Sequence, residues 1–206
     1  MNSHSQFHLG AVLLAAGASS RMGKSKPLLR WDDNSVIEHL IRAWKSFATQ
    51  VGVVISAKDQ ALATELDRLQ ISDRVLNQNP ERRMFSSIQC AAAWKDWRPE
   101  LTHWAIILSD QPHLSKATLS AVVQFAKDNP DNICQASRHD RPRHPVILPR
   151  VEFIRLATSS GATLKDFLSE ARDRVRLLEL DDAALDFDID RPEDYEAALR
   201  LFPPSR

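Results

Sequence analysis

Arg21, Lys24 and Lys26 fall within six positions, just after an apolar run that ends at Gly17 and a turn of small residues. Small residues let backbone N–H groups come close to phosphate oxygens, and cationic side chains neutralise charge that amides alone cannot. The pattern therefore reads as a grip for a nucleoside triphosphate rather than a βα turn with surface lysines. Arg21 offers a planar fork suited to β- and γ-phosphates, and Lys26 a point charge that can follow an α-phosphoryl group into its transition state. Lys24 has no role of its own in this reading beyond a solvated cation. A hard-oxygen partner for such a site stands at Asp110, which closes the apolar run Trp104-Ala105-Ile106-Ile107-Leu108 and suits Mg²⁺; an Asp before Gln-Pro is otherwise a turn or helix cap. A second acidic group comes late in the chain, where Asp181, Asp182, Asp186, Asp188 and Asp190 crowd together. Most such runs are solvated surface.

These residues need a scaffold that brings their strand ends together. Apolar runs alternate with helical patterns, the mark of a mostly parallel α/β sheet with helices on both faces. The strands are expected at 11–16, 51–56, 74–77, 104–109 and 133–136, with a short one at 146–148. Val36, Leu40, Ile41, Trp44 and Phe47 form one helical stripe, and Leu62, Leu66 and Leu69 another. A third helix is expected from Ser86 toward Trp97, and a fourth after Ser115, whose hydroxyl can cap it. Arg138 to Pro145, RHDRPRHP, interrupts the alternation and should be a loop or a crossing hairpin. The five tryptophans read as packing rather than base-stacking platforms, since Trp44 lies on a stripe and Trp104 opens a strand.

At 206 residues the chain is sized for one domain with a full core, residues 1–9 being a mobile N-terminus in this reading. Lys+Arg and Asp+Glu are both 27, so the global charge lacks the footprint of a nucleic-acid binder, and phosphate recognition must be local. Cys90 and Cys134 have neither zinc nor disulfide-framework spacing, which makes a reducing cytoplasm the default compartment. The first residues have no signal-peptide pattern, and the run 11–16 is far too short to span a bilayer.

Ala18 to Ser25, ASSRMGKS, also satisfies a relaxed Walker A pattern, with Asp110 then ending a Walker B strand. A Walker A lysine and serine open a long helix directly. Here Ser25 is followed by Lys26-Pro27 and soon by the turn-forming Trp31-Asp32-Asp33-Asn34, and the first true helix starts after Ser35.

LAAGASSRMGKSKPLL, residues 14–29, resembles the signature LAAGxSxRMGxxKxLL of the molybdenum cofactor cytidylyltransferases and guanylyltransferases. Three further segments agree in order: Arg83-Met84-Phe85-Ser86-Ser87-Ile88 is similar to GMxxSL, Ser109-Asp110-Gln111-Pro112-His113-Leu114 to GDQPxL, and Asp188-Ile189-Asp190-Arg191-Pro192-Glu193-Asp194-Tyr195 to DIDTPEDY. The resemblance implies a Rossmann-like nucleotidyltransferase fold and a Mg²⁺-dependent transfer of a nucleotidyl group from an NTP to a phosphate-bearing acceptor such as molybdopterin, with a molybdoenzyme as recipient of the product. It implies nucleotide contacts at Leu14, Ala15, Ala16, Gly17, Ser19, Arg21, Gly23, Lys26, Met84 and Ser87, catalytic roles for Arg21, Lys26 and Asp110, and metal ligation by Asp110 and Asp190, with Asp188 as the alternative to Asp190. His144, Pro145 and Gly161 would lie on the acceptor side. Family guanylyl enzymes carry glycine where this chain has Ala16, so the resemblance favours CTP over GTP. Departures occur too. Arg83 and Arg143 replace family glycines, and Ser159-Ser160-Gly161-Ala162-Thr163 lacks both the acid and the arginine of the family's DxGAR, which leaves a sugar-phosphate or alcohol-phosphate acceptor, or a noncatalytic nucleotide-binding role, as alternatives.

Overall fold

The computed structural model describes residues 6–17 and 25–203. Seven strands form one sheet in the order β5-β4-β1-β6-β8-β7-β9. They are β1 (Leu9–Leu14), β4 (Gln50–Ser56), β5 (Arg74–Asn77), β6 (His103–Leu108), β7 (Ile133–Arg138), β8 (Arg141–Pro149) and β9 (Val175–Glu179). Every neighbouring pair is parallel except those made by β8, which runs antiparallel to β6 and β7. A two-stranded ribbon, β2 (Arg30–Trp31) and β3 (Asn34–Ser35), stands apart from the sheet. The helices are α1 (Val36–Lys45), α2 (Gln60–Arg68), α3 (Arg83–Ala93), α4 (Lys116–Asp128), α5 (Arg150–Leu156), α6 (Leu164–Glu170) and α7 (Pro192–Leu201). Among the described residues no helix is long and apolar enough to cross a membrane.

The continuous apolar run of β1 is explained by its two buried faces. Leu9, Ala11 and Leu13 join one core with residues of α1 and α4, while Val12 and Leu14 join a second with residues of α3, α5 and α6. The stripe expected for α1 is buried through Trp44, and the Ser35 hydroxyl accepts from the Glu38 N–H to start the helix. That position excludes the Walker A arrangement: only a three-residue turn, Lys26–Leu28, and the ribbon separate Ser25 from α1. The Ser115 cap is present as expected, its hydroxyl accepting from Thr118 N–H.

Several boundaries differ from the expectation. The first strand leaves the ladder at Leu14, because residues 15–17 turn away to form the loop, although Ala15 N–H still reaches Val54 O at 2.9 Å. The third helix begins earlier, at Arg83, and stops at Ala93, because Trp94 is already extended. Instead of a three-residue strand at 146–148, the chain builds the nine-residue β8, and the charged segment before it is a hairpin arm turning at His139 and Asp140, both with positive φ (50° and 58°). β9 escapes sequence reading because it is an edge strand with no buried residue and so carries no apolar run.

Trp94, Trp97, Trp104 and Phe153 form an aromatic cluster under β4 and β6, with Trp104 and Phe153 stacked at 4.5 Å and Trp97 edge-on to both. Gly52 exists to admit it, since a Cβ there would lie 2.6 Å from the Trp97 ring. Gly52→Ala should therefore overpack the cluster by about 1–3 kcal/mol and lower the melting temperature by roughly 2–10 °C in calorimetry, while leaving nucleotide affinity unchanged; an unshifted transition would mean that Trp97 yields freely.

Candidate active site

Strand order reverses around β1: the chain goes from β1 to β4 on one side and later returns to β6 on the other. Where such a reversal occurs, the loops leaving the carboxyl ends part and open a crevice. The ends of β1 and β6 are in register, Leu14 opposite Leu108, and a cleft of about 280 Å³ lies beyond them. Leu14, Ala16 and Gly17 form one side, Lys26 and Pro27 another, Met84 and Ser87 of α3 a third, and Ser109 and Asp110 the floor beside β6.

The ionic centre sits at this mouth. Lys26 Nζ lies 2.7 Å from Asp190 Oδ1 and 4.0 Å from Asp110 Oδ2, so one ammonium stands between two carboxylates that are 80 residues apart in sequence. Asp110 is the more buried of the two, and its Oδ1 is shut off from solvent with no hydrogen-bond partner among the described residues. Burial, then the nearby Asp188 charge, push its carboxyl up to about 6 against the opposing pull of Lys26. A desolvated carboxylate oxygen with no donor to satisfy it is suited to a cation.

The late acidic motif is placed by backbone and capping bonds. Ile189 N–H donates to Asp110 O at 3.2 Å, tying the two carboxylate-bearing segments together. Asp194 then accepts from the N–H groups of Asp190 (3.1 Å) and Arg191 (2.8 Å), opening α7 with Pro192 in its first turn. The Tyr195 hydroxyl donates to the Arg30 carbonyl on the ribbon that follows Lys26. Asp188, the alternative ligand, accepts from Gln111 Nε2 at 2.8 Å through its Oδ1.

Sequence reasoning missed Asn77. It is 1 % exposed at the carboxyl end of β5 and donates through Nδ2 to the hydroxyls of both Ser86 and Ser87 at 2.9 Å, which fixes the first turn of α3 against the cleft. A polar residue closing an apolar strand is the signal that could have found it.

Of the residues singled out from sequence, Leu14, Ala16, Gly17, Lys26, Met84, Ser87 and Asp110 share the cleft, and Asp190 reaches it through Lys26. Ser19, Arg21, Gly23 and Lys24 lie outside the described residues. Ala15 points its methyl into the α1 and α4 core, so any nucleotide contact there is through backbone. His144 is not in this cleft; it is half-buried, its ring nitrogen Nδ1 is 3.4 Å from Ile106 O, and desolvation lowers its pKa so that the neutral ring is favoured. It faces an adjoining cleft, while Pro145 is buried near His39 and Gln111, and Gly161 lines neither cleft. Part of the acidic run is structural rather than merely solvated: Asp186 pairs with Arg138 and Arg143, and Asp182 caps the turn at Ala184 and accepts from Thr118.

The fold is shared with Rv0371c from Mycobacterium tuberculosis H37Rv, at a TM-score of 0.80 and 26% identity over 94% of this chain and 98% of that one. A structure of Rv0371C in complex with manganese aligns at a TM-score of 0.75 and 24% identity, over 94% and 99% of the two chains. Molybdopterin-guanine dinucleotide biosynthesis protein A from Archaeoglobus fulgidus aligns at 0.67 and 15% identity, over 93% and 97%. No curated protein matches the sequence. Fold and cleft together define a nucleotidyltransferase. The chain belongs to the MobA-like NTP transferase domain family, whose model matches residues 11–175.

Proposed function

We propose that the enzyme transfers a nucleotidyl group, CMP in preference to GMP, from an NTP to a phosphate-bearing acceptor, molybdopterin being the first to try and a molybdoenzyme the recipient of the product. The observation that carries this reading is the convergence of Lys26, Asp110 and Asp190 at the mouth of the cleft between β1 and β6. An acceptor phosphate oxygen attacks the α-phosphorus, a P–O bond forms, and the bond to the β-phosphate oxygen breaks with its electrons leaving on pyrophosphate. The nucleophile is already anionic, so the residues contribute alignment and charge neutralisation rather than general-base work. Lys26 neutralises charge near the α-phosphoryl group, and Arg21 in the same loop is assigned to the β- and γ-phosphates.

Asp110 and Asp190 would hold Mg²⁺, and the orphaned Asp110 oxygen supports that assignment. Held by two carboxylates, such an ion would complete its shell with substrate phosphates and water. Such an ion would supply charge stabilisation at the phosphates. The manganese complex of Rv0371C supports a divalent ion in this setting.

Pyrophosphate release from CTP and GTP, measured against a panel of molybdopterin, sugar phosphates and alcohol phosphates, tests the reading; binding of nucleotide without any transfer would favour an accessory role instead.

Ala16 supports the preference for CTP. It lines the cleft just beyond β1, and a base seated against it would meet its methyl group and leave less room for a purine. One methyl group discriminates by about 1–3 kcal/mol, roughly 10- to 200-fold. Calorimetry with Mg²⁺ should show CTP binding more tightly than GTP and Ala16→Gly narrowing the gap by admitting GTP. A wild-type preference for GTP would remove the base assignment while leaving nucleotidyl transfer intact.

A further inference from the structure

A second cleft, of about 710 Å³, adjoins the nucleotide cleft and shares Met84 with it. One wall is sheet: Arg141 and Arg143 stand two apart on β8, and Val175 and Leu177 two apart on β9, so each pair shares a face of its strand. The other wall is α6 and the turn after it, contributing Lys165, Leu168 and Arg172. Four cations therefore line the cleft, and among the described residues no carboxylate does. Arg143 is compensated by Asp186 at 2.5 Å, whereas neither Arg141 nor Lys165 has an ion-pair partner among the described residues, and Arg172 has only a 3.9 Å contact with Asp173. Between the cations the surface is mostly apolar, with Met84 and Leu177 44% and 45% exposed, although Thr163 and Ser169 also line it.

Resting on the nucleotidyl-transfer reading, we propose that this cleft takes the body of the acceptor and that the acceptor is an organic phosphate with an apolar or planar middle and a further anionic group away from the reacting phosphate. The volume falls in the range of about 300–1,000 Å³ typical of sites for sizeable ligands, and far exceeds what one phosphate needs. The reacting phosphate must pass Met84 to meet the α-phosphorus, where Lys26 answers its charge. Arg141, Lys165 and Arg172 are left facing the rest of the molecule, and a cleft of one sign attracts and holds the opposite one. The exposed leucine and methionine then cover the uncharged middle.

The test uses 2-naphthyl phosphate and 6-carboxy-2-naphthyl phosphate, which differ only in the distal carboxylate, titrated calorimetrically into the full chain saturated with Mg²⁺ and a nonhydrolysable CTP analogue. The carboxylated probe should bind at least about 10-fold more tightly, the equivalent of about 1.4 kcal/mol. The triple substitution Arg141→Ala, Lys165→Ala, Arg172→Ala should abolish that difference, with affinity for the CTP analogue and the melting temperature unchanged. Equal binding of the two probes, no binding of either, or a difference that survives the triple substitution would overturn the proposal while leaving nucleotidyl transfer standing. Failure of the CTP analogue to bind would instead remove the reading on which it rests.

Discussion

Asp110→Asn should keep the fold and lower turnover by roughly two to three orders of magnitude, the scale on which a main electrostatic stabiliser acts. Asparagine preserves shape and one oxygen but removes the charge at the atom that lies buried and, among the described residues, without a donor. The stability readout separates this from simple damage. Burial and Asp188 hold the Asp110 carboxyl at about 6, above its value in an unfolded chain, so the folded state binds the extra proton between those values and this group turns increasingly against folding as pH rises through them. An amide escapes that penalty. With metal removed by EDTA, the variant should melt no lower than wild type at pH 7.5, and its relative advantage should shrink toward pH 4. Lost turnover beside retained or raised stability marks a carboxylate kept for its chemistry. Wild-type turnover with unchanged Mn²⁺ or Mg²⁺ dependence would remove Asp110 from the mechanism.

Much of the architecture was legible because β1, β4 and β6 are buried on both faces and announce themselves as apolar runs, and because Ser35 and Ser115 cap the helices they precede. β9 was not, since an exposed edge strand has no pattern to read, and β8 was hidden by the arginines and prolines of its outer half. At the site, Lys26 and Asp110 could be named from residue type and local order. Their meeting with Asp190 could not be derived that way; it depends on a backbone bond from Ile189 to Asp110 and on the Asp194 cap of α7, both of which join segments far apart in sequence or act through geometry. Only the similarity of the terminal motif to a known family pointed there. Asn77 went unnoticed because its task is to hold Ser86 and Ser87 rather than to touch a substrate, and such supporting groups carry no spacing signature.

Lys26→Ala should depress kcat by about 100-fold or more while moving the KM for CTP only a few-fold, because charge grows near the α-phosphoryl group as the reaction proceeds and a contact that strengthens in the transition state appears in kcat. Lys26→Arg should restore only part of the loss, since a planar guanidinium does not replace a compact ammonium held at 17% exposure between two carboxylates. The free enzyme provides a second readout. Removing the ammonium takes away the cation that lowers the Asp110 pKa, so that carboxyl rises further above its unfolded value, and the cation standing between Asp110 and Asp190 is lost. The stability deficit of Lys26→Ala relative to wild type, measured in EDTA without nucleotide, should therefore widen as pH increases from 5 to 8. A variant that loses only apparent affinity for CTP, with kcat intact, would make Lys26 a ground-state clamp on the triphosphate and move the transition-state task to another cation of the same loop, for which Arg21→Ala, assayed alongside, is the matching measurement.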